Sequence, residues 1–594
     1  MHLTKVRPFP AAALAVALAS PAFTQPESAR PAGLPPDANI IASIQRAESA
    51  LNSELADYQP LVEAYYQKVT PNEKGIYMLD RDLYFLGRLS WNNGPHIDDL
   101  LGGGEAAGGD SAEPGGSRQL LDALIEVLTP DWRQLGLDRY QYTFIRTEFL
   151  GGMRCVVYDV KPLRADAEGF TGRIYVEDRT WNIARFEGVN PRLDALLAPL
   201  RARTSTFHLD SWRVNPIKNR YVPAYTYIEE VPPLDAPDRP RIKAQIRFWA
   251  FDRTFAQPSH EHVEGLVQTS STVSEARRQQ APSPQEIERI YERQAEDNVL
   301  YRLFVGGFLG PKGEVEPKLD QVLNNLVISN HVVLGNELHV RVLLTAPLEA
   351  FSVGNTIFVS RELINVLPTE SALALVLAHQ LAHYVLGHRR VDLKLAFYDV
   401  LRIPDAELLA KLRFTHSPAE EAAADRKTVD ILEQSPYHSG MAEGGLFIQA
   451  VQTYARQLSH LITPRFGEHI ADVQHAVGNN VMFRDTAPYN PDNPTQTAAF
   501  PLGSRVIVNP WTGRMEFFQS EPLAGIAPYE RKDLGVTHVL PRLEYASDAK
   551  PALSAPVKTV APTPVRRPQT APAVRHTTPT PAQPRTKDVA AIRK

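Results

Sequence analysis

The stretch LAHQLAHYVLGH, residues 377–388, decides how the chain is read. His379 and His383 stand four apart, and the run that leads into them, ESALALVLA, is apolar enough to form a buried helix. On a helix that spacing keeps both side chains on one face, a turn apart, so both imidazoles can address one point. With 17 histidines in 594 residues, such a pair arises by chance nearly as often as not, so its surroundings must carry the argument. Two imidazoles on a buried helix need polar partners. A zinc ion that does chemistry takes three protein ligands and keeps one position open.

A third ligand is offered by SPAEEAAADRKTVDIL, residues 417–432. Ser417, Pro418 and Glu420 have the order of a helix start with a capping box. Glu421 and Asp425 then fall on one face of that helix. Glu421 can give an oxygen to the metal, and Asp425 can accept a proton from a ligand imidazole and fix its orientation. Glu420 is the alternative ligand, although its place in the cap directs it elsewhere.

The order of a strand, then TIFVSRELINVLPTESALALVLAHQLAHYVLGH, then a helix carrying EAAAD, resembles the M48 peptidases. That group includes the CAAX prenyl endoproteases and the HtpX proteases. The resemblance covers about residues 285–480. It implies one zinc ion held by His379, His383 and Glu421, with Asp425 as the supporting aspartate. It also implies that EAFSVGNTIFVS (349–360) is the cleft strand, whose Ala350, Phe351, Ser352 and Val353 pair with extended polypeptide. Glu349 stands where the family usually has Asn. The membrane helices of the prenyl and HtpX enzymes have no counterpart, which points to a soluble, exported member.

One position departs from the pattern. The family reads His-Glu-x-x-His, and its Glu is the general base; here Gln380 occupies that place. An amide can hydrogen-bond a water but cannot accept its proton and hand it on, a task worth about 10²–10⁴-fold in rate. Zinc retention with little or no proteolysis is therefore expected, since Gln380 is not itself a ligand. Glu349 and Glu420 are the nearest carboxylates that could stand in. His388, at the helix end, suits the negative end of the dipole. His460, Arg465 and His469 lie downstream with no motif that assigns them a role.

The remaining sequence supports an α+β protein, a curved antiparallel sheet domain (39–275) followed by a mainly helical metallopeptidase-like domain (280–485). Ile41, Ile44, Ala47, Leu51 and Leu55 give residues 39–70 helical spacing. Seven β-rich runs between 140 and 251 then alternate with short gaps, as in antiparallel meanders. This region faintly resembles the half-barrels of bacterial lipoprotein-carrier proteins. A Gly-rich loop, GGGEAAGGDSAEPGG (102–116), interrupts it. Ser283, Pro284 and Glu286 open the helical domain. Residues 338–360 read as two strands around a turn at Gly354–Asn355. Residues 490–547 hold a small hairpin across WTG, and 548–594 are a Pro/Ala/Thr-rich basic tail without the means to form a core.

Lys5 and Arg7 ahead of AAALAVALA (11–19), with small residues near Ala22 or Thr24, read as a signal peptide (1–24), followed by a disordered leader (25–38). The expected location is the periplasm or the exterior. No stretch reaches the ~18 apolar residues of a membrane helix. A net charge of −5 gives no argument for nucleic acid. Cys155 is the only cysteine, so no internal disulfide can form.

Three functions follow. The first is a zinc-binding pseudoprotease that holds extended polypeptide. The second is a zinc endopeptidase with a weak or relocated base. The third is a carrier of lipid or lipoprotein on the N-terminal sheet.

Overall fold

Residues 61–67 are buried without alternation, so the strand that holds them is covered on both faces. That strand, β1 (Leu61–Pro71), lies inside a ten-stranded antiparallel sheet. The others are β2 (Tyr77–Ser90), β3 (His96–Asp99), β4 (Tyr140–Leu150), β5 (Met153–Pro162), β6 (Thr171–Glu177) and β7 (Ile183–Val189). They continue with β8 (Thr206–Ile217), β9 (Arg220–Val231) and β10 (Arg241–Trp249). The spatial order is β3-β2-β1-β10-β9-β8-β7-β6-β5-β4, a meander closed by β10 pairing with β1.

The computed structural model describes residues 38–73, 77–91, 96–100, 136–164, 169–197, 206–217, 220–231, 239–251, 283–334, 337–388, 394–395, 412–470, 486–490 and 506–517. The signal peptide, the leader as far as residue 37, the Gly-rich loop and the basic tail lie outside them. All described residues belong to one unit, 1–546.

Helical spacing over 39–70 is correct only in its first half. Helix α1 (Ala38–Leu55) ends before Pro60, and β1 follows. Because both faces of β1 are buried, it lacks the two-residue alternation that would have marked it as a strand. The buried stripe of α1 is Ile41, Ile44, Leu51 and Leu55, with Glu48 in place of Ala47. Glu48 accepts from Ile183 N–H (3.0 Å) and Arg213 Nη1 (2.8 Å), which docks α1 on the face that also carries Phe186.

The opposite face carries charge. Glu63, Arg247, Tyr225, Trp212, Arg185 and Tyr175 are register partners across six strands. Beside them Arg173 bridges Asp159 (2.9 Å) and Glu187 (3.6 Å), and Arg185 bridges Asp210 (2.8 Å). The helical part docks on this face. Glu63 forms a buried ion pair with Arg361 and accepts from Ala346 N–H (2.6 Å) and Tyr84 Oη (2.9 Å). Asp82 accepts from the N–H groups of His460 (2.9 Å) and Leu461 (2.7 Å). Trp249 Nε1 donates to Gly307 O (2.8 Å).

The helical part begins with α3 (Pro284–Val305), after a short α2 (Pro191–Leu197) in the sheet region. Ser283 caps α3 by accepting from Glu286 N–H. After α4 (Glu316–Ser329) comes a second sheet of order β11-β13-β12-β14. Its strands are β11 (His339–Leu343), β12 (Glu349–Val353), β13 (Thr356–Ser360) and β14 (Glu468–His469). The stretch 338–360 thus holds three strands, the first parallel to β13. Gly354, at φ 57°, makes the β12–β13 turn, and Glu296 of α3 holds it by accepting from Asn355 N–H and Thr356 Oγ1, each at 2.9 Å. Strand β13 leads into α5 (Arg361–Val366) and α6 (Glu370–Val385), capped by Thr369. Next come α7 (Pro418–Glu433), α8 (Met441–Tyr454) and α9 (Ser459–Ile462). The hairpin is present as β15 (Val506–Val508) and β16 (Met515–Phe517).

Candidate metal centre

Helix α6 is buried along nearly its whole length; His383 is fully buried, and His379 keeps 21% of its side chain exposed. Helix α7 lies against it and starts with a complete capping box: Ser417 Oγ accepts from Glu420 N–H, and Glu420 Oε2 accepts from Ser417 N–H (2.8 Å). This cap sets the rotation of α7 and turns the next residue, Glu421, toward α6. His379 Nε2 is 3.2 Å from Glu421 Oε2, His383 Nε2 is 3.6 Å from Glu421 Oε1, and the two Nε2 atoms are 3.2 Å apart.

These separations suit one ion. Tetrahedral zinc with ligands at about 2.0–2.1 Å has ligand–ligand edges of roughly 3.3–3.4 Å. The donor set of two imidazoles and one carboxylate is a zinc set that leaves a fourth position. Among the described residues, His379, His383 and Glu421 are the one group of such side chains brought within ligating range of each other.

Both histidines turn Nε2 toward that point and Nδ1 away from it. His379 Nδ1 is 3.4 Å from Asp425 Oδ1, the contact expected of the supporting aspartate. Asp425→Ala is expected to weaken zinc binding about 10–100-fold. Chelator competition measures this, and unchanged affinity would remove Asp425 from the site.

His383 Nδ1 meets a partner that sequence reasoning assigned elsewhere. Gly387 adopts φ 75° after the end of α6, and its N–H bonds to Tyr384 O while His388 N–H bonds back to His383 O. This is a Schellman end. It folds His388 over the last turn, where its Nδ1 lies 3.2 Å from His383 Nδ1. His388 therefore orients a ligand as well as ending a helix. His416 was missed altogether. Its ring stacks on His383 at 3.8 Å, its Nδ1 is 3.7 Å from Glu421 Oε1, and its Nε2 is 2.6 Å from His388 O. The available signal was its place just ahead of the Ser417 cap. Burial pushes the His383 imidazole down to about 4, against the pull of Glu421 and with help from His379 and His416, so the ring is neutral and ready to ligate at neutral pH.

Gln380 is 2% exposed. Its Nε2 donates to Ala350 O on β12 (3.4 Å), and its Oε1 has no hydrogen-bond partner among the described residues. The two carboxylates that could replace a base are engaged elsewhere. Glu420 closes the α7 cap. Glu349 is fully buried, and its Oε2 accepts from Arg465 (2.9 Å), Phe466 (2.7 Å) and Gly467 (3.0 Å) N–H. Of the downstream residues, His460 is held by Asp82 at the sheet, and His469 pairs by its backbone with Glu349. Ala350, Phe351, Ser352 and Val353 form the body of β12, which the amide of Gln380 meets at Ala350 O.

Residues 314–437 match the sequence profile of Peptidase family M48. The M48 stretch runs from the loop before α4 to just beyond α7 and contains His379, Gln380, His383, Glu421 and Asp425. No curated protein matches the chain. Three of the solved structures that the chain matches are distant in sequence. A DUF1329 family protein from Desulfovibrio piger is 12% identical, with TM-score 0.19, over 35% of this chain and 90% of that one. A LolA superfamily protein from Nitrosomonas europaea is 11% identical, with TM-score 0.15, over 34% and 90%. MucB in complex with MucA(peri) is 9% identical, with TM-score 0.12, over 36% and 94%. Among the described residues, no helix is long and apolar enough to cross a membrane.

Proposed function

We propose that this is an exported zinc-binding protein of metallopeptidase architecture that holds extended polypeptide along β12 and does not cut it. The observation that carries this reading is a buried amide, Gln380, in the place of the base and beside three convergent ligand atoms. Zinc bound there would polarise a carbonyl and acidify a bound water. Gln380 can donate to an oxygen, as it does to Ala350, and can accept from a water through Oε1. It cannot carry the proton to a leaving amine. His379, His383 and Glu421 hold the ion, Asp425 and His388 aim the rings, and β12 offers backbone groups for strand pairing.

Two observations favour this reading over lipid carriage. On one face of the ten-stranded sheet, α1 docks through Glu48 on Ile183 and Arg213 and buries Ile41, Ile44, Leu51 and Leu55. The other face bears the charge ladder of Asp159, Arg173, Glu187, Arg185 and Asp210, and receives the helical part. An acyl chain would meet ionised groups there, at a desolvation cost.

The test is purified protein with zinc and fluorescently labelled casein. One zinc per chain, casein bound and casein uncut is the expected result. Chelator-sensitive cleavage would instead establish an active endopeptidase. Zinc at 100 times its dissociation constant is expected to stabilise the fold by about 2.7 kcal/mol. A melting curve indifferent to zinc would end the metal reading.

A further inference from the structure

The edge of β12 that faces away from β13 is already partly paired. Glu349 and Ala350 are register partners of His469 and Glu468, so β14 takes the first two positions. Three features hold the segment that leads into β14. The Glu349 carboxylate gathers three successive N–H groups, those of Arg465, Phe466 and Gly467. Such a run of amides is an anion nest, here filled by the protein's own side chain. Phe466 is fully buried against Phe308 (5.5 Å) and Phe351 (6.1 Å), and its carbonyl accepts from Phe414 N–H (2.7 Å). Gly467 passes so close to β12 that a Cβ would stand 2.9 Å from Ala350 O and 2.8 Å from Phe351 Cδ1. Ala350 O is the same oxygen that Gln380 Nε2 contacts. The segment therefore reaches the part of β12 nearest the base position.

We infer that Arg465–His469 is a built-in strand that occupies the upstream end of the peptide edge. With Gly467 and Phe466 packed against Phe351, it confines any bound polypeptide to pairing with Ser352 and Val353. This rests on the reading of β12 as a peptide-binding strand and names what limits it. It also gives Glu349 a role that its position in the sequence did not suggest: anchoring the occupant, with Oε2 committed to three amides.

The tests are hydrogen exchange on the parent and casein binding by a Gly467→Val variant, both with zinc bound. The added side chain collides with a backbone oxygen, which cannot move aside, so it expels the segment from Ala350. The 465–469 amides of the parent are expected to exchange as slowly as those of β12. The variant is expected to keep its zinc and to bind labelled casein about ten-fold more tightly or better, from the pairing positions it frees. Fast exchange at 465–469 would overturn the proposal whatever casein does. Slow exchange with equal casein affinity in parent and variant would also overturn it and leave the peptide-binding reading intact. Slow exchange with casein bound by neither would show that the peptide-binding reading has failed, and the restriction would fall with it.

Discussion

Gln380→Glu is expected to raise casein cleavage about 10²–10⁴-fold above the parent, a barrier change of roughly 3–5 kcal/mol. The gain should lie toward the upper end, because one carboxylate would both take the proton from the water and return it to the leaving nitrogen. The geometry favours the substitution. Glutamate has the length of glutamine, and position 380 follows directly on His379, whose Nε2 converges with Glu421 and His383. The amide now donates to Ala350 O at 3.4 Å. A carboxylate has no proton to give that oxygen and is repelled by it. It should turn away from β12, toward the cation. The measurement is chelator-controlled peptide release by parent and variant at equal zinc occupancy. A zinc-loaded variant as inert as the parent would mean that the cleft, and not its base, is what prevents hydrolysis.

Glu63→Gln is expected to cost about 3–5 kcal/mol of stability, because it leaves a buried guanidinium without its counter-ion. Arg361 is fully buried, and Glu63 is its ion-pair partner across the junction of the large sheet and the helical part. The glutamine keeps the size; with its oxygen accepting from Ala346 N–H and Tyr84, its NH2 faces Arg361, so the loss combines a missing charge with a missing acceptor. Arg361 raises its proton affinity through Glu63 and Glu362 against the cost of burial, and stays charged when Glu63 is neutralised. The double variant Glu63→Leu with Arg361→Met should recover only part of the loss: the apolar pair needs no charge compensation, but Ala346 N–H and Tyr84 Oη lose their acceptor. Urea unfolding of the three proteins reports the difference. A loss in the single variant below about 1 kcal/mol, the range of exposed pairs, would show that water reaches this junction.

The local chemistry of the site was legible in the sequence, and its long-range chemistry was not. Four-residue spacings and a Ser-Pro-x-Glu cap placed His379, His383, Glu421 and Asp425 on two helices, because those signals act within a turn or two of chain. His416 escaped because it lies outside both helices and reaches His383 only through the packing of α7 on α6. His388 was read by the helix dipole alone; its contact with His383 depends on the positive φ of Gly387. Glu349 was taken for a spare carboxylate, although its partners lie more than a hundred residues away, at 465–467. The seven β-rich runs became β4 to β10, since antiparallel neighbours in sequence are neighbours in space. β1 was hidden by burial on both faces, which removes alternation. The docking of the helical part through Glu63 and Asp82 spans 298 and 378 residues, and no periodicity encodes it.

A strand edge that welcomes foreign polypeptide also invites copies of its own kind. Open hydrogen-bonding rows of that sort are templates for edge-to-edge association, and short rows are among the ways proteins avoid it. With two of its five residues paired to His469 and Glu468, β12 keeps on that edge a row shorter than such a ladder needs. The two-residue β14 is itself an edge of the very short kind that resists such association.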